Sequence, residues 1–137
     1  MSFLLDTNVI SELRKGKRAD SGLTTWFAGL AEEEIFLSVL TIGEIRRGVE
    51  SVRRRDPDSA AALDSWLARL SETHGERMLS VDRAIAEEWG RMNVPDPLPV
   101  VDGLLAATAK VLSLTLVTRN TADVEGTGVE LLDPFAS

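Results

Sequence analysis

Short apolar runs alternate with amphipathic stretches along this chain, and this alternation constrains the fold more than any other feature. The runs 3–5, 35–38, 78–81, 115–118 and 129–132 are too short for buried helices and too apolar for loops, so each predicts a strand. The stretches between them repeat apolar residues at helical spacing. Strands that alternate with helices form parallel sheets covered on both faces. We therefore expect an α/β protein with a central, mostly parallel sheet of four or five strands flanked by helices.

The composition is that of an ordinary globular domain, with 44% hydrophobic and 27% charged residues in 137. We expect a single domain over residues 1–137. No apolar run is long enough to span a bilayer, and no basic region precedes the first run as in a signal peptide, so we expect a cytoplasmic protein with no membrane partner. The absence of cysteine excludes disulfides and thiolate chemistry. The net charge of −7 argues against a bulk nucleic-acid binder but not against a nuclease whose carboxylates hold metal ions.

Acidic residues follow the predicted strands at the edge where open parallel sheets place their sites. Asp6 directly follows the first strand, Glu44 lies near the start of a helix after the second, Asp102 lies in the first turn of an apolar helix, and Asp123 follows a late strand. Carboxylates that converge there raise one another's pKa unless cations compensate. The only histidine, His74, stands at a predicted helix end and is given no catalytic role. An all-oxygen donor set favours Mg²⁺ or Mn²⁺, which can activate water against a phosphodiester.

Each of these acids also has a structural explanation. Asp6 is a good helix-capping residue, and Asp102 suits the positive end of a helix dipole. The stretch 41–44 fits a capping box in which Thr41 begins the helix and Glu44 reaches back to it. The loop 119–123 contains residue types common in turns. Asp82 follows a strand as well and is expected only to cap a helix, so position alone does not assign a catalytic role.

The helix predicted from Thr41 carries a basic strip. Arginines seven residues apart share a helix face, and the strip consists of Arg46, Arg47, Arg53 and Arg54. Such a strip can steer phosphates toward the neighbouring Glu44, although most charged strips are only solvated faces.

Four blocks of the chain together resemble a known family, in order and over essentially its whole length. They are 4–13 (LLDTNVISEL), 41–48 (TIGEIRRG), 102–109 (DGLLAATA) and 116–123 (LVTRNTAD). The chain is similar to PIN-domain ribonucleases, and more closely to the VapC-type toxins, including the FitB-like branch, of bacterial type II toxin–antitoxin systems. The resemblance implies a PIN-like α/β/α fold and Mg²⁺- or Mn²⁺-dependent endoribonuclease activity. It also implies a homodimer and a cognate antitoxin that inhibits the enzyme and binds operator DNA, so that DNA is contacted only indirectly.

The resemblance assigns roles to particular positions. Asp6, Glu44 and Asp102 match the family's acidic triad, and Asp123 matches its fourth, more variable acid. We expect Asp6 and Asp102 as direct metal ligands, with the other two acids completing the shell or acting through water. The polar residues expected to support the metal or the phosphate are Thr7, Asn8, Thr118 and Asn120.

The same resemblance leaves two matters open. Many relatives have an aromatic residue where this chain has the segment 124–128. This difference leaves the orientation of the Asp123 side chain open. The arginine strip is expected to contact either RNA or the antitoxin. The alternative function is a catalytically silent PIN-like scaffold that binds another protein and whose acids serve only as caps.

Overall fold

Five parallel strands form the centre of the computed structural model, which describes residues 1–136. The strands are β1 (Phe3–Leu5), β2 (Ile35–Ser38), β3 (Met78–Leu79), β4 (Thr115–Val117) and β5 (Leu131–Leu132). Their order is β3-β2-β1-β4-β5, and every neighbouring pair is parallel. The expected sheet is confirmed, and β1 lies at its centre.

Six α-helices connect and flank these strands within the described residues. They are α1 (Thr7–Leu13), α2 (Ser21–Ala28), α3 (Val39–Arg53), α4 (Pro57–Thr73), α5 (Arg83–Met92) and α6 (Val100–Leu112). The side chains of Asp20, Asp56 and Asp82 cap α2, α4 and α5 by accepting hydrogen bonds from first-turn N–H groups, which confirms the cap predicted at Asp82. No helix within residues 1–136 combines the length and apolar character that a transbilayer segment needs.

Two hydrophobic clusters cover opposite faces of the sheet. On β1, Phe3 and Leu5 join one cluster, together with buried residues of α1 to α4. Leu4 points the other way and joins the second cluster, to which α6 contributes Leu105, Ala106 and Ala109. Side chains alternate across a strand, so three consecutive apolar residues bury both faces of the sheet at once. The result is the expected α/β/α arrangement.

The helix after β2 begins earlier than the sequence predicted. Ser38 rather than Thr41 is the cap, since its Oγ accepts a hydrogen bond from the Leu40 N–H at 3.1 Å. Thr41 is therefore inside α3 and fully buried, and the predicted capping box between Thr41 and Glu44 is wrong. Glu44 lies in the second turn of α3, and its carboxylate is free to interact outside its own helix.

Candidate active site

Asp6 sits where β1 ends and α1 begins, and it is only 6% exposed. Its backbone N–H still pairs with the Val117 carbonyl of β4 at 2.9 Å, so the sheet holds the residue in place. Asp6 Oδ1 accepts a hydrogen bond from the Thr7 N–H at 2.6 Å, and Oδ2 accepts one from the Thr118 hydroxyl at 2.7 Å. Asp6 is therefore both a helix cap and a buried carboxylate at the carboxyl edge of the sheet.

Burial raises the pKa of Asp6 above its ordinary value, because removing a carboxylate from water disfavours its charged form. The hydrogen bonds from Thr118 and Thr7 oppose this by stabilising the charge, and the nearby Glu44 carboxylate raises the pKa further. Carboxyl groups with raised pKa values are frequent at functional sites. A helix cap does not need to be buried, so the cap role alone does not explain the burial of Asp6.

Glu44 reaches this site through a contact between helices. The Thr7 hydroxyl donates a short hydrogen bond to Glu44 Oε1, and its oxygen also lies 3.2 Å from Thr41 Oγ1. The contact joins the first residue of α1 to the second turn of α3. It holds the Glu44 carboxylate near Asp6, at the edge of the sheet expected from the sequence.

Asp102, in the first turn of α6, completes the group from the other side of the sheet. Burial raises its pKa most, and the negative charges of Asp6, Asp123 and Glu44 add to the effect in that order. Asp102 therefore lies near enough to each of the other three predicted acids for their charges to raise its pKa, although all four are far apart in sequence. Asp6 and Asp102 also line one small cavity together with Thr118 and Asn120.

The supporting polar residues form a hydrogen-bonded layer beside Asp6. The Asn8 amide nitrogen lies 3.3 Å from the Thr118 hydroxyl and 3.4 Å from Asp6 Oδ2. The Thr118 hydroxyl oxygen in turn accepts a hydrogen bond from the Asn120 N–H at 3.0 Å. The four polar residues expected from sequence, including Thr7, therefore all contact one of the acids or one another.

Two residues that shape the site were not expected from sequence. Thr41 had been assigned to a cap, yet it is buried against Thr7. Gly103, next to Asp102, is buried so closely against α5 that a Cβ there would lie 3.2 Å from the indole of Trp89. The sequence signals were a glycine next to Asp102 and a threonine three residues before Glu44, and both are too common to be diagnostic.

The donor chemistry of this pocket fits a hard divalent cation. Its donors are carboxylates and hydroxyls, and the charges of the acids repel one another in the absence of a cation. No three Asp, Glu or His side chains in the described part of the chain are already grouped as ligands of one ion. Mg²⁺ is commonly held by one or two carboxylates together with water and a substrate phosphate, and Asp6 and Asp102 are the two carboxylates that line the cavity.

The basic strip is partly neutralised. The guanidinium groups of Arg46 and Arg53 both pair with Asp64 of α4 and with Glu50, and the Arg53–Asp64 distance is 2.6 Å. Half of the strip therefore fastens α3 to α4. Arg47 and Arg54 are exposed and make no ion pair within residues 1–136. The expected contact of the strip with RNA or an antitoxin stays a prediction.

Fold and site together define an α/β/α domain with an acidic pocket at the carboxyl edge of its parallel sheet. The chain belongs to the PIN domain family, whose pattern matches residues 3–123.

Named relatives extend this match over nearly the whole chain. The chain is 29% identical over 139 residues to Toxin FitB of Neisseria gonorrhoeae, covering 96% of this chain and 97% of that protein. It is 28% identical over 136 residues to VapC ribonuclease Y4jK of Sinorhizobium fredii, covering 96% of each. Among solved structures, FitAcB from Neisseria gonorrhoeae superposes with a TM-score of 0.88 at 29% identity, covering 96% of this chain and 97% of the other.

Proposed function

We propose that this chain is a cytoplasmic, metal-dependent endoribonuclease that acts as the toxin of a toxin–antitoxin pair, with residues 1–137 as one nuclease domain. The observation that carries the proposal is the small cavity lined by Asp6 and Asp102 at the carboxyl edge of the sheet, with the charges of Glu44 and Asp123 near enough to raise the pKa of Asp102. Family membership adds support, as do relatives named as a ribonuclease and as a toxin. A cognate antitoxin protein and a homodimer are part of the proposal, and DNA is contacted only through the antitoxin.

In this proposal Asp6 and Asp102 hold Mg²⁺ or Mn²⁺, and Glu44 and Asp123 complete the shell directly or through water. When bound, such an ion supplies an activated water and stabilises charge on a phosphate during in-line displacement. The chain's own contribution is orientation. Thr118 and the Thr7 N–H hold the two oxygens of Asp6 and favour its charged form, and the Thr7 hydroxyl aims Glu44.

The experiment is cleavage of a mixed small-RNA pool by purified protein with Mn²⁺ or with EDTA. We expect cuts with Mn²⁺ that disappear with EDTA and in Asp6→Asn. Asp82→Asn is the matched control, because Asp82 also follows a strand and caps a helix but lies outside the pocket. It should cut like the wild type.

Two results would contradict the proposal. Equal cleavage by Asp6→Asn would place the activity elsewhere or in a contaminant. The absence of both cleavage and Mn²⁺ binding would favour the alternative of a silent protein-binding module.

A further inference from the structure

A groove leaves the acidic pocket and runs along α3 toward α4. Its first part is a cavity of about 250 Å³ that begins at Thr7 and Glu44 and ends at Trp66. Gly48 lies between them, and a Cβ there would meet nothing within 4 Å, so no side chain covers the groove at this point. A second cavity, of about 610 Å³, continues beyond Trp66. The two cavities share four lining residues, which are Arg14, Val52, Leu63 and Trp66.

One arginine lies over the indole of Trp66, and two more line the second cavity. The Arg14 guanidinium carbon lies 5.8 Å from the centre of the ring, within the range of a cation–π contact. Arg55 and Arg69 line the cavity beyond it. Arg14, Arg55 and Arg69 make no ion pair in the described part of the chain. Arg55 donates a 3.4 Å hydrogen bond to the Ser51 carbonyl, and its charge also acts on the neighbouring Asp56 carboxylate.

The acid nearest these arginines is already engaged. Asp56 lines the same cavity, but its carboxylate caps α4 and accepts hydrogen bonds from the backbone and hydroxyl of Ser59. The far end of the groove is therefore cationic in a chain whose net charge is −7. An anionic ligand would be attracted to this end, while the pocket end holds the carboxylates.

We propose that this groove binds the single-stranded RNA that flanks the cleaved phosphodiester, with a base on Trp66 and backbone phosphates at Arg14, Arg55 and Arg69. The inference rests on the proposed nuclease function. An aromatic side chain with flanking arginines is the usual platform for single-stranded nucleic acid, since every base can stack and every phosphate can pair.

The length of the groove agrees with this occupant. Glu44 and Val52 are separated by about 12 Å along α3 at 1.5 Å per residue. A stacked strand advances by about 3.4 Å per nucleotide, so the groove accommodates roughly three or four nucleotides. Contacts to base faces and phosphates carry little sequence information, and this subsite therefore adds affinity rather than sequence specificity.

The test combines RNA binding in EDTA, where no cleavage occurs, with steady-state cleavage in Mn²⁺. A short fluorescein-labelled single-stranded RNA should bind Trp66→Ala about 5- to 150-fold more weakly than the wild type, and Trp66→Phe should retain much of the affinity. Arg14→Gln with Arg69→Gln should lower the slope of log K against log salt by about 1.4. In cleavage, these variants should have a higher KM with little change in kcat, because the flanking contacts are equally strong in the enzyme–substrate complex and in the transition state.

Arg83→Gln is the matched control, because Arg83 is exposed on α5 and pairs only with Glu87 in the described part of the chain. If the enzyme cleaves RNA but the Trp66 and arginine variants bind like Arg83→Gln, the groove is not an RNA subsite and the nuclease proposal still stands. Binding of an acidic peptide of alternating Glu and Leu is measured in parallel and can give a second contrary result. If Trp66→Ala loses binding of that peptide and keeps RNA, the groove is a protein-binding site instead.

Discussion

Replacing Asp6 with Asn should stabilise the metal-free protein and remove its stabilisation by Mn²⁺. Asn caps a helix as well as Asp does, so the Thr7 contact is retained. The pKa of Asp6 is raised in the folded state, which means that its surroundings favour the neutral form over the charged one. Asn supplies a neutral side chain permanently, and its amide nitrogen can donate to the Thr118 hydroxyl oxygen at the position where Asp6 Oδ2 accepts from it. Sites of this kind commonly cost stability in exchange for function.

The size of the metal effect follows from linkage and chain length. Free Mn²⁺ at one hundred times its Kd adds about 2.7 kcal/mol to the free energy of unfolding when it binds only the folded state. Unfolding entropy of about 2.1 cal/mol/K per residue gives roughly 0.29 kcal/mol/K for 137 residues. The melting temperature of the wild type should therefore rise by about 9 °C, and that of Asp6→Asn should barely change.

The dependence on pH has a defined sign. Because its pKa is raised in the folded state, Asp6 contributes most to the free energy of unfolding below its ordinary pKa of 3.8. This contribution is lost as the pH rises through the folded-state pKa. In EDTA, the melting temperature of Asp6→Asn should exceed that of the wild type most near neutral pH, and the difference should shrink as the solution is acidified.

Thermal melts followed by circular dichroism, in EDTA over a pH series and in Mn²⁺ at neutral pH, measure both effects. Asp82→Asn serves as the control and should retain the full Mn²⁺ shift. The reasoning is refuted if Asp6→Asn melts below the wild type in EDTA at neutral pH, or if Mn²⁺ raises both melting temperatures equally.

Three further changes test the supporting structure. Thr118→Val removes the buried hydrogen bond to Asp6, which should cost about 1.5–3 kcal/mol and lower the melting temperature by about 5–10 °C; an unchanged melt would contradict the contact. Gly90→Ala, where a Cβ meets nothing within 4 Å in α5, should stabilise by about 0.5–1 kcal/mol in urea unfolding, and a loss of stability would show that the site is more crowded. Gly22→Ala would place a Cβ 2.7 Å from the Ala136 nitrogen, so the C-terminal segment should detach and become sensitive to proteolysis, whereas unchanged protection would contradict this packing.

The hydrophobic pattern predicted the sheet and the positions of two of the acids at its edge. Asp6 and Asp102 could be placed because each adjoins an apolar segment that must be buried, and burial at the carboxyl edge of a parallel sheet leaves little freedom for the next side chain. The start of α3 was predicted less accurately. Ser38 and Thr41 are both good caps, and only the observed hydrogen bond to Leu40 distinguishes them.

Contacts between distant segments explain the remaining differences. The Thr7–Glu44 hydrogen bond joins residues 37 apart in sequence, and helical spacing carries no information about such a pair. Arg46 and Arg53 were correctly placed on one helix face, but their pairing with Asp64 depends on how α3 packs against α4. Local patterns therefore predicted the helix or strand, and the face of it, on which each residue lies. Tertiary packing determined what the side chain contacts.

The most direct test of a metal-dependent endoribonuclease is the fate of a circular RNA, which has no ends for an exonuclease. With Mn²⁺, the wild type should convert the circle to a linear product, and Asp102→Asn that remains folded should leave it intact. EDTA should also prevent the conversion. Circles that stay closed with the wild type while linear RNA is degraded from its ends, or circles that Asp102→Asn opens equally well, would contradict the account.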